Sequence, residues 1–296
     1  MAKNFAMSGR VAYNWDMDLS GLEKRPSDVP LVILDTETTG LYPGLGHRVV
    51  EIGAVRLENW QEVGQVSTLV QPGRKMDPKA SSVNGIYDED LAGQPTFSQV
   101  ADDLLALLDG AVLVAHNAEF DAGFLGQEFL IHGLKVNGAP GTLPNPWLCT
   151  LQLARRYFHF GRDNLSHIAH HLGVRMGRAH RALSDVYTTA EILKRMVRTL
   201  QQRKLDTVSD LLYAQGAPIF APLPTTLPLP PAIADALANG RNLRILYLGK
   251  NGESNREITP LYPSEHRGVA YLVSYCHLAR EQRTFRLDRI FSAELL

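Results

Sequence analysis

A chain of 296 residues with 45% apolar residues, 21% charged residues and a formal net charge of −1 has room for about two globular domains. It has no apolar run near the ~18 residues of a membrane-spanning helix, and its first ten residues lack the continuous apolar core of a secretory signal. Its two cysteines, Cys149 and Cys276, cannot make a disulfide framework, so the expectation is a soluble protein of the reducing cytoplasm with no membrane partner.

The near-neutral total hides a partition. Residues 30–149 carry 6 Lys/Arg against 15 Asp/Glu, and residues 150–205 carry 11 against 3. An acidic part suits metal binding and a basic part beside it suits a phosphate backbone, although a basic helix can also be only a solvated face.

Residues 1–29 show no clear period and read as an N-terminal tail or arm that includes Trp15. Leu31-Val32-Ile33-Leu34 then reads as a buried strand, and Asp35-Thr36-Glu37-Thr38-Thr39-Gly40-Leu41 follows at its C-terminal end. In an extended chain residues i and i+2 point the same way, so Asp35 and Glu37 can face one point. Two like charges that close repel unless a cation neutralises them, and oxygen donors suit Mg2+ or Mn2+. Taken alone, the pair could equally open an ordinary loop.

Residues 48–57 and 60–70 read as two more strands, joined by short links that predict antiparallel pairing. Phe97, Val100, Leu104, Leu105 and Leu108 share one face of a helix over 96–108, and 111–115 is a fourth strand that this crossover places parallel to the first. His116-Asn117-Ala118-Glu119-Phe120-Asp121 opens a helix to about residue 132, which would bring Asp121 beside Asp35 and Glu37. A Gly/Pro loop over 137–146, a short strand at 147–148, a helix from 150, a helix over 164–172 and a long helix over 178–200 complete the unit. His180 and Asp185, five positions apart at the start of that last helix, add a histidine and a fourth acid.

Six prolines between Pro218 and Pro231 mark a semi-rigid linker. The domain organisation read from the sequence is a tail over 1–29, a catalytic domain over 30–205, a Pro-rich linker over 206–231 and a small domain over 232–296. The last has a short helix at 232–240 and strand-like runs at 243–248, 257–261, 269–276 and 284–287, which suggest a small β-barrel or sheet.

Asp35-x-Glu37, His116-Asn117-Ala118-x-Phe120-Asp121 and His180-Arg181-Ala182-x-Ser184-Asp185, in that order, resemble the DEDD-type 3′→5′ exonucleases of the histidine subtype, the DnaQ-like enzymes. Val83-Asn84-Gly85-Ile86 and Cys149-Thr150-Leu151-x-Leu153-Ala154-Arg155 are lesser matches, with Asn84 where the family usually has His. The resemblance covers about 30–200 and implies an α/β, ribonuclease H-like fold, a five-stranded mixed sheet flanked by helices. It implies two Mg2+ or Mn2+ ions held by Asp35, Glu37, Asp121 and Asp185, and His180 as general base, these five being the catalytic set. Thr38 and Leu41, with Asn117 and Phe120, would contact the terminal nucleotide. The implied substrate is DNA, as single strands or 3′ ends, with a DNA polymerase or repair proteins as partners.

Arg244-Ile245-Leu246-Tyr247, Tyr271-Leu272 and Arg283-Thr284-Phe285-Arg286-Leu287-Asp288-Arg289-Ile290 resemble a WYL domain, which implies a small Sm/SH3-like β-barrel over about 240–291. Ala270 stands in place of the name-giving Trp. Tyr271, Arg283, Arg286 and Arg289 are candidates for a ligand or nucleic-acid pocket, or are simply paired and solvated. Two alternatives stay open at this point. One is an RNA-trimming, oligoribonuclease-type exonuclease. The other is a ligand-responsive regulatory binding protein.

Overall fold

A computed structural model of the chain describes residues 22–136, 139–140, 143–177, 181–222 and 227–296. His180, the tail up to residue 21, parts of the 137–146 loop and Pro224 lie outside the described residues.

Strand β1 (Leu31–Thr38) is nearly all buried because both of its faces are covered. It pairs antiparallel with β2 (Val49–Glu58), which pairs antiparallel with β3 (Gln61–Leu69). Helices α1 (Pro78–Asn84), α2 (Asp88–Leu91) and α3 (Phe97–Leu108) form the crossover to β4 (Val112–Ala115), which runs parallel to β1. Thr96 and Gln99 close a capping box on α3 and fix where it begins. Helix α4 (Ala118–Ile131), a two-residue strand pair β5 (Lys135–Val136) and β6 (Ala139–Pro140), and β7 (Trp147–Cys149) follow. Then come α5 (Thr150–Tyr157), α6 (Leu165–His171), α7 (Ala182–Gln201) and α8 (Val208–Ala214).

The main sheet has the order β3-β2-β1-β4-β7. The period of two divides its side chains between two cores. Leu31, Ile33, Val55, Val114 and Leu148 face α5 to α8. Val32, Leu34, Ile52, Leu113 and Trp147 face α3 and α4. Residues 206–231 hold more than the proline run. Thr207 and Asp210 cap α8 reciprocally, Val208 and Leu211 are fully buried in the first core, and Ile219 bridges to Trp147.

The second unit comprises α9 (Pro231–Asn239), β8 (Leu243–Gly249), β9 (Gly252–His266), β10 (Val269–Cys276), β11 (Glu281–Arg286) and β12 (Ile290–Leu295). Its strands make one antiparallel sheet in the order β11-β10-β9-β8-β12. The expected small β domain is therefore present, but the sheet is open. β11 and β12 are its two edges and do not pair to close a barrel. Ile233 and Ala236 of α9 pack on one face with Leu243, Ile245, Ile258, Leu272 and Phe285.

The other face lies on the first unit, at the 3-10 turn Pro43–Leu45 just beyond β1. Three side chains donate hydrogen bonds to three successive backbone carbonyls: Ser264 Oγ to Gly44 O at 2.9 Å, Thr284 Oγ1 to Leu45 O at 2.8 Å and Gln282 Nε2 to Gly46 O at 3.0 Å. The Tyr42 ring lies 4.7 Å from the His266 ring, and the Arg267 guanidinium stands 5.8 Å from its centre. Tyr262 is also buried at this boundary, and burial pushes its hydroxyl up to about 12.

Gly44 is the tightest point, since a Cβ there would sit 2.1 Å from the carbonyl oxygen of Glu265. A backbone atom cannot turn aside as a side chain can. Gly44→Ala should therefore part the two units while leaving each core folded. The expected readout is faster protease cleavage in the 222–231 segment with unchanged far-ultraviolet circular dichroism. Cleavage at the wild-type rate would show that the turn absorbs the methyl group.

Candidate active site

The site forms where β1 ends. Asp35 and Glu37 project from the same side of the strand, and Asp185 reaches them from the first turn of α7. One oxygen from each of these three carboxylates can be chosen so that all lie within 4.8 Å of one another. Asp121, in the first turn of α4, is fully buried beside them. Its Oδ1 accepts from Thr36 N at 2.9 Å and from Thr36 Oγ1 at 2.8 Å. Thr36 points to the side of β1 opposite Asp35, so one strand offers both its carboxylates and an anchor for a third.

Two features missed from the sequence position α7. Glu51, directly opposite Glu37 in the β1–β2 register, accepts from Arg181 Nη2 at 2.8 Å, from Arg181 Nε at 3.0 Å and from the backbone N–H of Ala182 at 3.2 Å. It thereby tethers the start of the helix that carries Asp185. Gly53 lets that helix come close, because a Cβ there would sit 2.5 Å from the Ala182 backbone. A glycine inside a strand signals such close approach, and Gly53 was readable in that sense. The Glu51–Arg181 pair joins residues far apart in the chain, and no local pattern marks it.

The remaining site candidates lie as follows. Thr38 is buried and donates to Gly40 O at 2.6 Å. Leu41 is 66% exposed at the rim. Asn117 is exposed at the start of α4, and the half-buried Phe120 ring packs 4.8 Å from Phe124. Asn84 is buried, donates to Thr38 O at 3.3 Å and accepts from the backbone N–H of Ile86 at 3.0 Å. Gly40 lies against the His47 ring, where a Cβ would come within 2.3 Å.

Residues 32–193 match the Exonuclease family RNase_T. The chain belongs to this exonuclease family. Residues 229–295 match the WYL domain. The chain is 36% identical over 213 residues to a "DNA polymerase III subunit epsilon-like protein" of Rhodobacter capsulatus, an alignment that covers 69% of this chain and 29% of that protein. It is 40% identical over 169 residues to the DNA polymerase III subunit epsilon of Haemophilus influenzae, covering 55% of this chain and 63% of the relative. The chain thus spans less than two thirds of the length of either. The crystal structure of Escherichia coli exonuclease I in complex with a dA16 oligonucleotide superposes with a TM-score of 0.53 at 17% identity, covering 83% of this chain and 55% of that one, which shows a shared fold.

In the WYL domain of this exonuclease the four pocket candidates are not brought together as one group. Tyr271 lies opposite Arg286 across β10–β11, and Arg286 forks onto Asp288 with contacts of 3.0 and 2.6 Å. Arg283 lies three pairs further on, opposite Ser274, and pairs with Glu281. Arg289 ends the 3-10 turn Leu287–Arg289.

The exonuclease carboxylates are held in a state that calls for a cation. Burial first, then the charges of Asp121, Glu37 and Asp185, raise Asp35 well above the usual carboxylate range. Burial and then Glu51 and Asp185 raise Glu37 to about 7, against the opposing hydrogen bond from Asn84. Burial also raises Asp121 to about 7, although the bonds from Thr36 pull the other way. Hard oxygen donors that crowd together and resist ionisation fit one or more small divalent ions.

The linkage has a definite sign. A carboxyl whose folded pKa lies near 7 and whose unfolded pKa lies near ~4 stabilises the fold below the lower value, and this stability is lost as pH rises through the upper one. In EDTA the melting temperature should therefore rise as the pH is lowered from 8 to 5. Asp35→Asn should shrink that rise, and Mg2+ should stabilise the wild type more at pH 8 than at pH 5. A wild-type metal-free profile identical to that of Asp35→Asn would mean that these groups do not crowd.

Proposed function

We propose that the chain is a divalent-metal-dependent 3′→5′ exonuclease. It hydrolyses DNA from single-stranded or 3′ ends and releases nucleoside monophosphates, in a cytoplasmic repair or proofreading setting. The observation that carries this reading is the convergence of Asp35, Glu37 and Asp185 oxygens within 4.8 Å, beside buried Asp121, in a chain of the exonuclease family. Association with a DNA polymerase or repair proteins goes with that setting.

The four carboxylates would hold two Mg2+ or Mn2+ ions, with Asp121 using the oxygen that Thr36 leaves to it. Bound ions would acidify the attacking water and neutralise charge on the phosphate and the departing 3′-oxygen. His180 takes the water's proton, a role suited to an imidazole with an ordinary pKa of ~6.5. Leu41, exposed beyond the end of β1, would contact the terminal base or sugar, and Thr38 holds the backbone of that turn through Gly40. Asn117 and Phe120 shape the α4 side of the same pocket. The WYL domain supplies grip or control.

Matched 3′-labelled single-stranded DNA, duplex DNA and RNA would test substrate class and direction together. With Mg2+, single-stranded DNA should be shortened from its 3′ end to mononucleotides, and a bulky group on the 3′-oxygen should protect it. Release of internal fragments would mean an endonuclease, and faster loss of RNA would reassign the substrate. Asp35→Ala should abolish turnover.

His180→Ala should lower kcat by about 10²–10⁴-fold while oligonucleotide affinity in metal-free buffer stays the same. A rate within a few-fold of wild type would make His180 structural.

A further inference from the structure

The boundary between the two units contains a cleft of about 320 Å³. Arg74, Lys75 and Met76, which follow β3, line one wall, and Glu281, Gln282, Arg283 and Thr284 of β11 line the other. Three cations and one carboxylate are among the described lining residues, with Met76 the one apolar residue there, and Asp88 Oδ1 accepts from the Met76 backbone N–H at 2.9 Å. Such a surface offers little to a base or an apolar ligand and much to an anion.

The cleft is wired to the acidic site through the backbone. Arg74 Nη1 donates to Gly46 O, the same carbonyl that accepts from Gln282. Three residues on, the backbone N–H of Asp77 donates to Thr39 O at 3.1 Å. Residues 74–77 therefore bind both the turn beyond Leu41 and the strand end beyond Glu37. Arg74 is half-buried, whereas Lys75 and Arg283 are exposed at the mouth. The Arg283 side chain keeps 57% of its surface while paired with Glu281. An arginine in that position can exchange part of a surface ion pair for a bidentate phosphate contact at little cost, since exposed ion pairs contribute little to stability.

We propose that this cleft is a phosphate site shared by the two units, with Arg74, Lys75 and Arg283 as its cations. It would take either a backbone phosphate of the strand whose 3′ end lies at the carboxylates, or the phosphate of a free nucleoside monophosphate. Both carry the same chemistry. Only the link to the strand rests on the exonuclease reading; phosphate binding does not.

The test uses the full chain and the double variant Lys75→Ala/Arg283→Ala, with Arg283→Glu as a second, single change. Retained melting temperature checks folding. In metal-free buffer, affinities are measured for a nucleoside monophosphate, a dinucleotide and an oligonucleotide of about twelve residues, each across a range of NaCl. If the site takes the strand, the double variant should lose about tenfold in affinity for the long oligonucleotide at low salt and less for the dinucleotide. The slope of log K against log salt should flatten by roughly 1.4, or ~0.7 for each of two contacts. If the site takes a free nucleotide, monophosphate affinity should fall and strand affinity should hold. Either result supports a phosphate site and names its source. Wild-type affinities and slopes for every probe in both variants would overturn the proposal. A wild type that shows the cleft-dependent binding but cleaves no strand with Mg2+ would sink the exonuclease reading and leave the cleft standing.

Discussion

The first unit holds like charges together at the end of β1. Asp35 and Glu37 sit two residues apart on a strand covered on both faces, and α7 brings Asp185 to the same point. Burial and like charge both disfavour ionisation there. A fold left to itself would relax by moving α7 away. It is prevented by the Glu51–Arg181 pair at the helix start and by the close approach that Gly53 allows. On the other side, Thr36 fixes Asp121 with both its backbone and its side chain. The carboxylates are thus held together by contacts made outside the cluster itself.

The two units meet at the turn that leaves this site. β9 and β11 of the second sheet supply Ser264, Gln282 and Thr284, and the first supplies carbonyls 44 to 46. Tyr42, next to exposed Leu41, is held between His266 and Arg267. The second domain therefore touches the first at the turn that leaves the carboxylate cluster, not on a remote face. Behind the turn, Arg48 forks onto Glu128 at 2.7 and 2.6 Å with both side chains almost out of water, which makes a rigid backing.

Much of this was legible in the sequence, for reasons that differ by element. Asp35 and Glu37 could be read because a strand repeats every two residues and the run before them is apolar on both faces. Asp121 required one further step, that a helical crossover makes β4 parallel to β1, and the structure has that pairing. The second domain was legible as a β unit but not as an open sheet. β9 runs for 15 residues through Pro260 and Pro263, where the prolines hid its length, and β12 begins directly after a 3-10 turn. Its edges depend on which strands pair last, and no local spacing encodes that. α8 lay inside a stretch whose later prolines dominated the composition, although its Thr207–Asp210 box was there to be found. Glu51–Arg181 and the cleft partners Arg74 and Arg283 join positions more than a hundred residues apart, and only the folded chain brings them together.

The hydrogen bonds that dock the two units end on main-chain oxygen atoms. Every residue has one, whatever its side chain. The turn can therefore drift in sequence without loosening its grip on the second sheet, except at Gly44, which has no room for a Cβ, and at Gly46, whose backbone has φ +81° and where a Cβ would sit 3.0 Å from Thr284 Oγ1. Statistical searches for paired substitutions look for side chains that change together. They would pass over a joint of this kind, and descendants of this chain could swap one partner domain for another while leaving little trace in the turn beyond two glycines.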